Sequence, residues 1–312
     1  MDRRLRFGVT LPQIKRSWEE TRTTALELER LGFDSLWVCD HLYGIPNPTL
    51  PIFEAWSELA AVAALTERVE LGTLVTPPFF RNPAVLAKQI ATIDRISNGR
   101  CIAGLGAGWF EAEFRAYGCE FPPLGERLRA LEEMTEILKR LWTEERAEFE
   151  GRTAKVVEAF CAPKPVRRPP ILIGGGGERI LMRIAARHAD IWNNMGVFQP
   201  QLAAKVEVLH RRCDEIGRDP ATLEISQQCL VVLGEDEAAA RAALEKAGRI
   251  YGGHLGATLE EHGLWGTPDR VIDGIERHRK LGCTLFIMEL FGRDTRVPAQ
   301  LFAEKVLPAF RG

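Results

Sequence analysis

Eight short apolar runs, separated by longer helix-compatible stretches, constrain the fold of this 312-residue chain more than any other feature. They occupy residues 5–9, 35–39, 70–75, 101–105, 171–174, 190–193, 223–233 and 284–290. Strands that alternate with helices are joined by crossovers rather than hairpins, which makes the sheet parallel and covers it with helices. Eight such units close into a (β/α)₈ TIM barrel, and an open doubly wound sheet is the competing architecture.

The intervening segments carry their own start and stop signals. Ser17 with Glu20 reads as a capping box for a helix that stops before Gly32. Pro83 after Asn82 opens a second helix, with Val85, Leu86, Gln89, Ile90, Ile93 and Ile96 at near-helical spacing. Leu128, Leu131, Met134, Leu138 and Leu141 form one apolar stripe, and Leu202, Val206, Leu209, Cys213 and Ile216 another, closed by Gly217. Thr267-Pro268 opens a helix that ends before Gly282. Two insertions interrupt the alternation: a proline-containing loop at 42–52 after the second strand, and residues 144–170 before the fifth, with a hairpin expected around 149–157. Nothing between them reads as a linker, so one domain over residues 1–312 is expected.

Composition excludes several classes of function. A net charge of −2 and the absence of a basic cluster interleaved with aromatics speak against nucleic acid or an anionic membrane as partner. No apolar segment approaches the roughly 20 residues of a membrane helix. The basic start, Met1 to Phe7, is not followed by a signal-length apolar run. Seven cysteines without CxxC spacing suit free thiols in a reducing compartment, so a cytoplasmic protein is expected. The six histidines, His41, His188, His210, His254, His262 and His278, show no metal-ligand spacing, and no GxSxG elbow occurs. Trp37, Trp56 and Trp142 read as packing residues.

Ligand-binding groups of such a barrel follow the carboxyl ends of its strands. The first strand offers Thr10 and Gln13, and the second offers Asp40 and His41, a histidine being able to move protons near neutral pH. The third offers Gly72, Thr73 and Thr76. After the fourth, Gly104, Gly106 and Gly108 remove side chains at alternate positions, so that a bulky group can approach the backbone; Trp109, Glu111 and Glu113 follow at once. The fifth ends in Gly174, Gly175, Gly176 and Gly177, then Glu178 and Arg179, and the sixth in Asn193-Asn194. Four glycines before a helix expose consecutive N–H groups suited to a phosphate, to which Arg179 adds charge. A ligand-free flexible turn is the alternative.

In order along the chain, these segments resemble the luciferase-like monooxygenase superfamily, in particular its coenzyme F420-dependent (deazaflavin) oxidoreductase branch. The resemblance rests on residues 7–13, 32–42, 71–75, 81–83, 104–118, 163–165, 171–178 and 189–193, and continues loosely through Gly266-Thr267-Pro268. It implies a TIM barrel that binds coenzyme F420, with FMN as the alternative. Asp40 and His41 would lie beside the ring, with His41 catalytic, and Gly72, Thr73 and Leu74 would back the ring at a non-proline cis peptide. Gly106, Ala107, Gly108 and Trp109 would line it, and residues 174–179 would hold the phosphate of the cofactor tail. The deazaflavin sugar-phosphate dehydrogenases carry a glutamate directly after the glycine segment and an asparagine three residues later. Here those positions are Trp109 and Ala112, so glucose 6-phosphate fits poorly as substrate, and Glu111, with Glu113 as the other choice, takes the acid's place. The implied activity is hydride transfer between the deazaflavin C5 and a small organic substrate. An FMN-dependent monooxygenase and a cofactor-free binding protein on the same barrel are the alternatives. A homodimer is expected.

Overall fold

The computed structural model describes residues 4–45, 47–252 and 259–311, so Pro46, His254 and part of the 250–265 region lie outside it. In chain order the strands are β1 (Arg6–Thr10), β2 (Ser35–Val38), β3 (Glu70–Thr73), β4 (Cys101–Leu105), β5 (Ala147–Glu150), β6 (Lys155–Ala159), β7 (Ile171–Gly174), β8 (Ile191–Asn194), β9 (Glu224–Leu233), β10 (Leu264–Gly266) and β11 (Cys283–Leu290). The helices are α1 (Trp18–Arg30), α2 (Ala55–Leu65), α3 (Pro83–Ile96), α4 (Glu111–Ala116), α5 (Leu124–Thr143), α6 (Leu181–His188), α7 (Leu202–Asp214), α8 (Glu237–Tyr251), α9 (Leu259–His262), α10 (Pro268–Lys280) and α11 (Arg296–Lys305).

Eight parallel strands close the expected barrel. The order is β1-β2-β3-β4-β7-β8-β9-β11, and β11 returns to β1 with Phe7 opposite Phe286. β5 and β6 form the antiparallel hairpin of the second insertion. β10, which the sequence did not signal, adds in parallel to the far end of β9, with Leu264 opposite Val231. At three residues it is too short to show a periodicity. The third strand ends at Thr73 rather than Val75: the Leu74–Val75 peptide is cis, and Thr76 rejoins the sheet as a bridge to Leu105.

Local signals explain the helices. The Ser17–Glu20 capping box forms as expected, and Asn82 caps α3 ahead of Pro83 at its start. Inside the barrel, Trp37, Leu74, Ile102, Leu172, Ile191, Leu285 and Ile287 pack together. The indole of Trp37 fits only because β1 and β3 carry glycine beside it. A Cβ on Gly8 or Gly72 would lie within 2.5 Å of the Trp37 ring. Arg6 plugs the amino end of the barrel by pairing with Glu70 and Glu224. A second, larger core fills the space between barrel and helices and includes Trp56 and Trp142. Among the described residues no helix is long and apolar enough to cross a membrane.

Candidate active site

At the carboxyl ends of the strands lies a cavity of about 220 Å³. The ends of β2 and β3 supply Cys39, Asp40, His41, Leu74 and Val75; the turn after β4 supplies Gly106, Ala107, Gly108, Trp109 and Phe110. Gly174 and Gly175 from β7, Asn193 from β8 and Gln228 from β9 close the other side. Close approach explains Gly104 near the end of β4 and Gly106 just after it. A Cβ on Gly104 would sit 1.7 Å from the Thr73 carbonyl oxygen, and one on Gly106 would sit 2.3 Å from Val75.

His41 and Glu113 meet on the wall of this cavity. His41 Nδ1 lies 2.9 Å from Glu113 Oε2, and the Leu42 and Tyr43 N–H groups donate to Glu113 Oε1 at 2.5 and 3.2 Å. Glu113 is 1% exposed. A carboxylate that accepts three N–H groups requires the Nδ1-protonated tautomer of His41, which leaves Nε2 as the acceptor. The Tyr117 hydroxyl donates to the Leu42 carbonyl at 2.7 Å, so α4 fixes the whole 41–43 segment. Trp109 stands at the rim with its ring edge-on to the His41 imidazole, centroids 6.2 Å apart.

Several expected site residues sit elsewhere. Glu111, two residues before Glu113 on α4, faces solvent, pairs with Arg115 at 2.7 Å and does not line the cavity. Residues two apart on a helix project in opposite directions. Asp40 borders the cavity, but both of its oxygens are engaged on the other side. Arg81 donates to them at 2.6 and 2.9 Å, and the Thr76 hydroxyl donates at 2.7 Å. Burial pushes the Asp40 carboxyl up from its ordinary value, against the pull of Arg81. Arg81 also pairs with Glu54, the residue that caps α2, so the Asp40 carboxyl is tied into the scaffold at the border of the cavity. Gly72 and Thr73 stop short of the cavity: Gly72 faces Trp37, and the Thr73 hydroxyl donates to the Gly104 carbonyl at 2.8 Å.

The glycine turn after β7 leads into α6, whose first turn has no side-chain cap. Gly174 and Gly175 line the cavity, while Gly176, Gly177, Glu178 and Arg179 continue beyond it. Gly175 takes φ +139°, which only glycine adopts without strain, and its carbonyl accepts from Trp192 Nε1 at 3.0 Å. Lys205, absent from the sequence-based candidates, supports the turn from behind. Its Nζ donates to the Gly176 carbonyl at 2.9 Å and to Glu178 at 3.3 Å, above the ring of Phe198. Glu178 therefore belongs to the turn's support.

Gln13 clamps the second strand's end: its Oε1 accepts from Cys39 N–H at 2.6 Å, and its Nε2 donates to the Cys39 carbonyl and to Glu58 at 3.1 Å each. Burial raises the Glu58 carboxyl to about 7, against hydrogen bonding by Gln13. A raised acid penalises the fold only when ionised, so the penalty is absent below the unfolded value near 4.3 and grows as pH rises toward 7. Glu58→Gln is thus expected to stabilise the protein by about 3 kcal/mol at about pH 8 and scarcely at about pH 4. Urea midpoints at the two pH values check this, and an equal shift at both contradicts it.

The chain matches the luciferase-like monooxygenase family over residues 5–285. It belongs to that family. Among its relatives in the luciferase-like family is the F420-dependent glucose-6-phosphate dehydrogenase of Amycolatopsis mediterranei, 37% identical over 169 residues, which are 53% of this chain and 50% of that one. The chain thus spans about half the length of that curated relative. A protein of the same name from Microbacterium testaceum is 28% identical across 98% of both chains. Two solved structures share the barrel. An F420-dependent secondary alcohol dehydrogenase with an F420-acetone adduct superposes at TM-score 0.85 with 21% identity, covering 99% of this chain and all of the other. The coenzyme F420-dependent tetrahydromethanopterin reductase of Methanopyrus kandleri superposes at 0.82 with 23% identity over 99% and 100%.

Proposed function

We propose that this luciferase-like protein is a coenzyme F420-dependent oxidoreductase that transfers hydride between the deazaflavin C5 and a small organic substrate. The observation that carries the proposal is the His41–Glu113 pair on the wall of a cavity held open between two glycine segments, 106–108 and 174–175. The residues present fit such a group. A side chain at 106 would run into Val75 on the cavity wall, and an uncapped helix start follows the second glycine segment. When bound, the deazaflavin supplies the hydride chemistry.

The chain's own residues supply the rest. Leu74 and Val75 would back the ring, and Gly106, Ala107 and Gly108 would face it. The N–H groups of 176 and 177, with Arg179, would hold the tail phosphate through aligned donors and positive charge, on a turn that Lys205 supports from behind. His41 Nε2 would take or give the proton at the substrate oxygen, while Glu113 keeps the imidazole in its tautomer and stabilises its cationic form. Trp109 at the rim would exclude water.

The family's description as luciferase-like monooxygenases favours a second reading, in which the same cradle holds FMN and reduced flavin activates oxygen. Turnover separates the two. Reduction of a cyclic enone by reduced F420 under strict anaerobiosis is expected, and a requirement for both reduced FMN and oxygen would overturn the F420 proposal. The proposal takes the chain as one barrel domain over residues 1–312 and as a homodimer. It also takes it as cytoplasmic, supported by seven free cysteines.

A further inference from the structure

We infer that the substrate that shares this cavity with the cofactor ring is uncharged, an alcohol or its ketone or enone partner, and that phosphorylated or carboxylated substrates are disfavoured; the inference rests on the proposed F420 chemistry. No lysine or arginine occurs among the described residues that line the cavity. The nearby cations are engaged elsewhere. Arg81 is held between Asp40 and Glu54, and Lys205 between the Gly176 carbonyl and Glu178. His41, the one basic group on the wall, faces Glu113.

Two carboxyl groups line the same space, and a third, Glu289, lies at the barrel's carboxyl end outside that lining. Asp40 and Glu113 lie on the wall. Glu289 occupies the carboxyl end of β11, two residues beyond Ile287 and four beyond Leu285, both of which point into the barrel; residues at this spacing share a face. Its carboxyl accepts the Tyr251 hydroxyl, and burial pushes it above the usual glutamate range. Cys39 lies on the cavity wall. Burial first, and then Glu289, Asp40 and Glu58 together, push its thiol up to about 12. A buried anion without a partner is costly, and no lysine or arginine on this wall would partner it.

The remaining walls suit an uncharged ring or chain. Phe80, Trp109, Phe110, Phe114, Leu181 and Met195 are apolar, while Asn193 and Gln228 offer amides to a hydroxyl or carbonyl. In the oxidative direction a bound deazaflavin would accept the hydride from the substrate C–H and with it the two electrons the alcohol loses. The hydroxyl proton would pass to His41 Nε2 and on to solvent.

A matched pair tests the inference. Cyclohexanol and 4-hydroxycyclohexanecarboxylate are titrated separately into the F420-loaded protein, with the fluorescence of bound F420 as binding readout and F420 reduction alongside. Cyclohexanol is expected to bind at least about tenfold more tightly, a difference of about 1.4 kcal/mol. Gln228→Lys, which adds a cation to the wall, is expected to narrow or reverse that ratio. Equal or tighter binding of the carboxylate by the unmodified protein overturns the inference, and so does a complex that binds neither compound. Failure to bind F420 at all is a separate outcome that counts against the proposed function itself.

Discussion

His41→Ala is expected to lower kcat by about 100- to 10,000-fold, the usual contribution of a positioned general acid–base, while leaving cofactor affinity nearly unchanged. The side chain lines the cavity with its Nδ1 occupied by Glu113, so its removal deletes the proton acceptor without touching either glycine segment. Glu113→Gln retains the shape but exchanges the carboxylate for an amide, which can present an N–H to Nδ1 and favour the wrong tautomer. It is expected to depress kcat as well, by a smaller factor. Because the two act as a unit, the double variant should be scarcely slower than His41→Ala alone. Strictly additive losses, or unchanged turnover in His41→Ala, would remove the pair from the chemistry.

Arg81→Met is expected to destabilise the fold by about 3–5 kcal/mol, the cost of leaving a buried carboxylate without its counter-ion. The Asp40 side chain is fully buried and Arg81 only 12% exposed, so water cannot replace the guanidinium. The loss should also unfasten Glu54 from the start of α2, which adds to the effect. Asp40→Asn combined with Arg81→Met should recover part of the stability, since no charge is then stranded. Chemical denaturation of the three variants checks the order. A double variant less stable than Arg81→Met would mean that Asp40 has another essential partner.

The parts of the fold that were legible in the sequence are those set by local pattern. All eight barrel strands follow from apolar runs between helix signals, and the capping residues Ser17 and Asn82 occur where their side chains can reach the next turn. The two glycine segments were legible for the same reason, since a strand end stripped of side chains is a property of consecutive residues. What the sequence hides is pairing across space. Glu113 meets His41 across 72 positions, and Arg81 meets Asp40 across 41. The choice between Glu111 and Glu113 depended on where α4 begins and which way it faces, and a six-residue helix is too short for an apolar stripe to fix either. Asp40 beside His41 suggested two ligand contacts. Both border the cavity, but the Asp40 oxygens are taken by Arg81 and Thr76, partners 41 and 36 positions away that local pattern does not show.

The most direct test of the account is an equilibrium fluorescence titration of the purified protein with oxidised coenzyme F420, run in parallel with FMN. Saturable binding of F420, with FMN much weaker, is the predicted result. Tighter binding of FMN, or binding of neither, would contradict it.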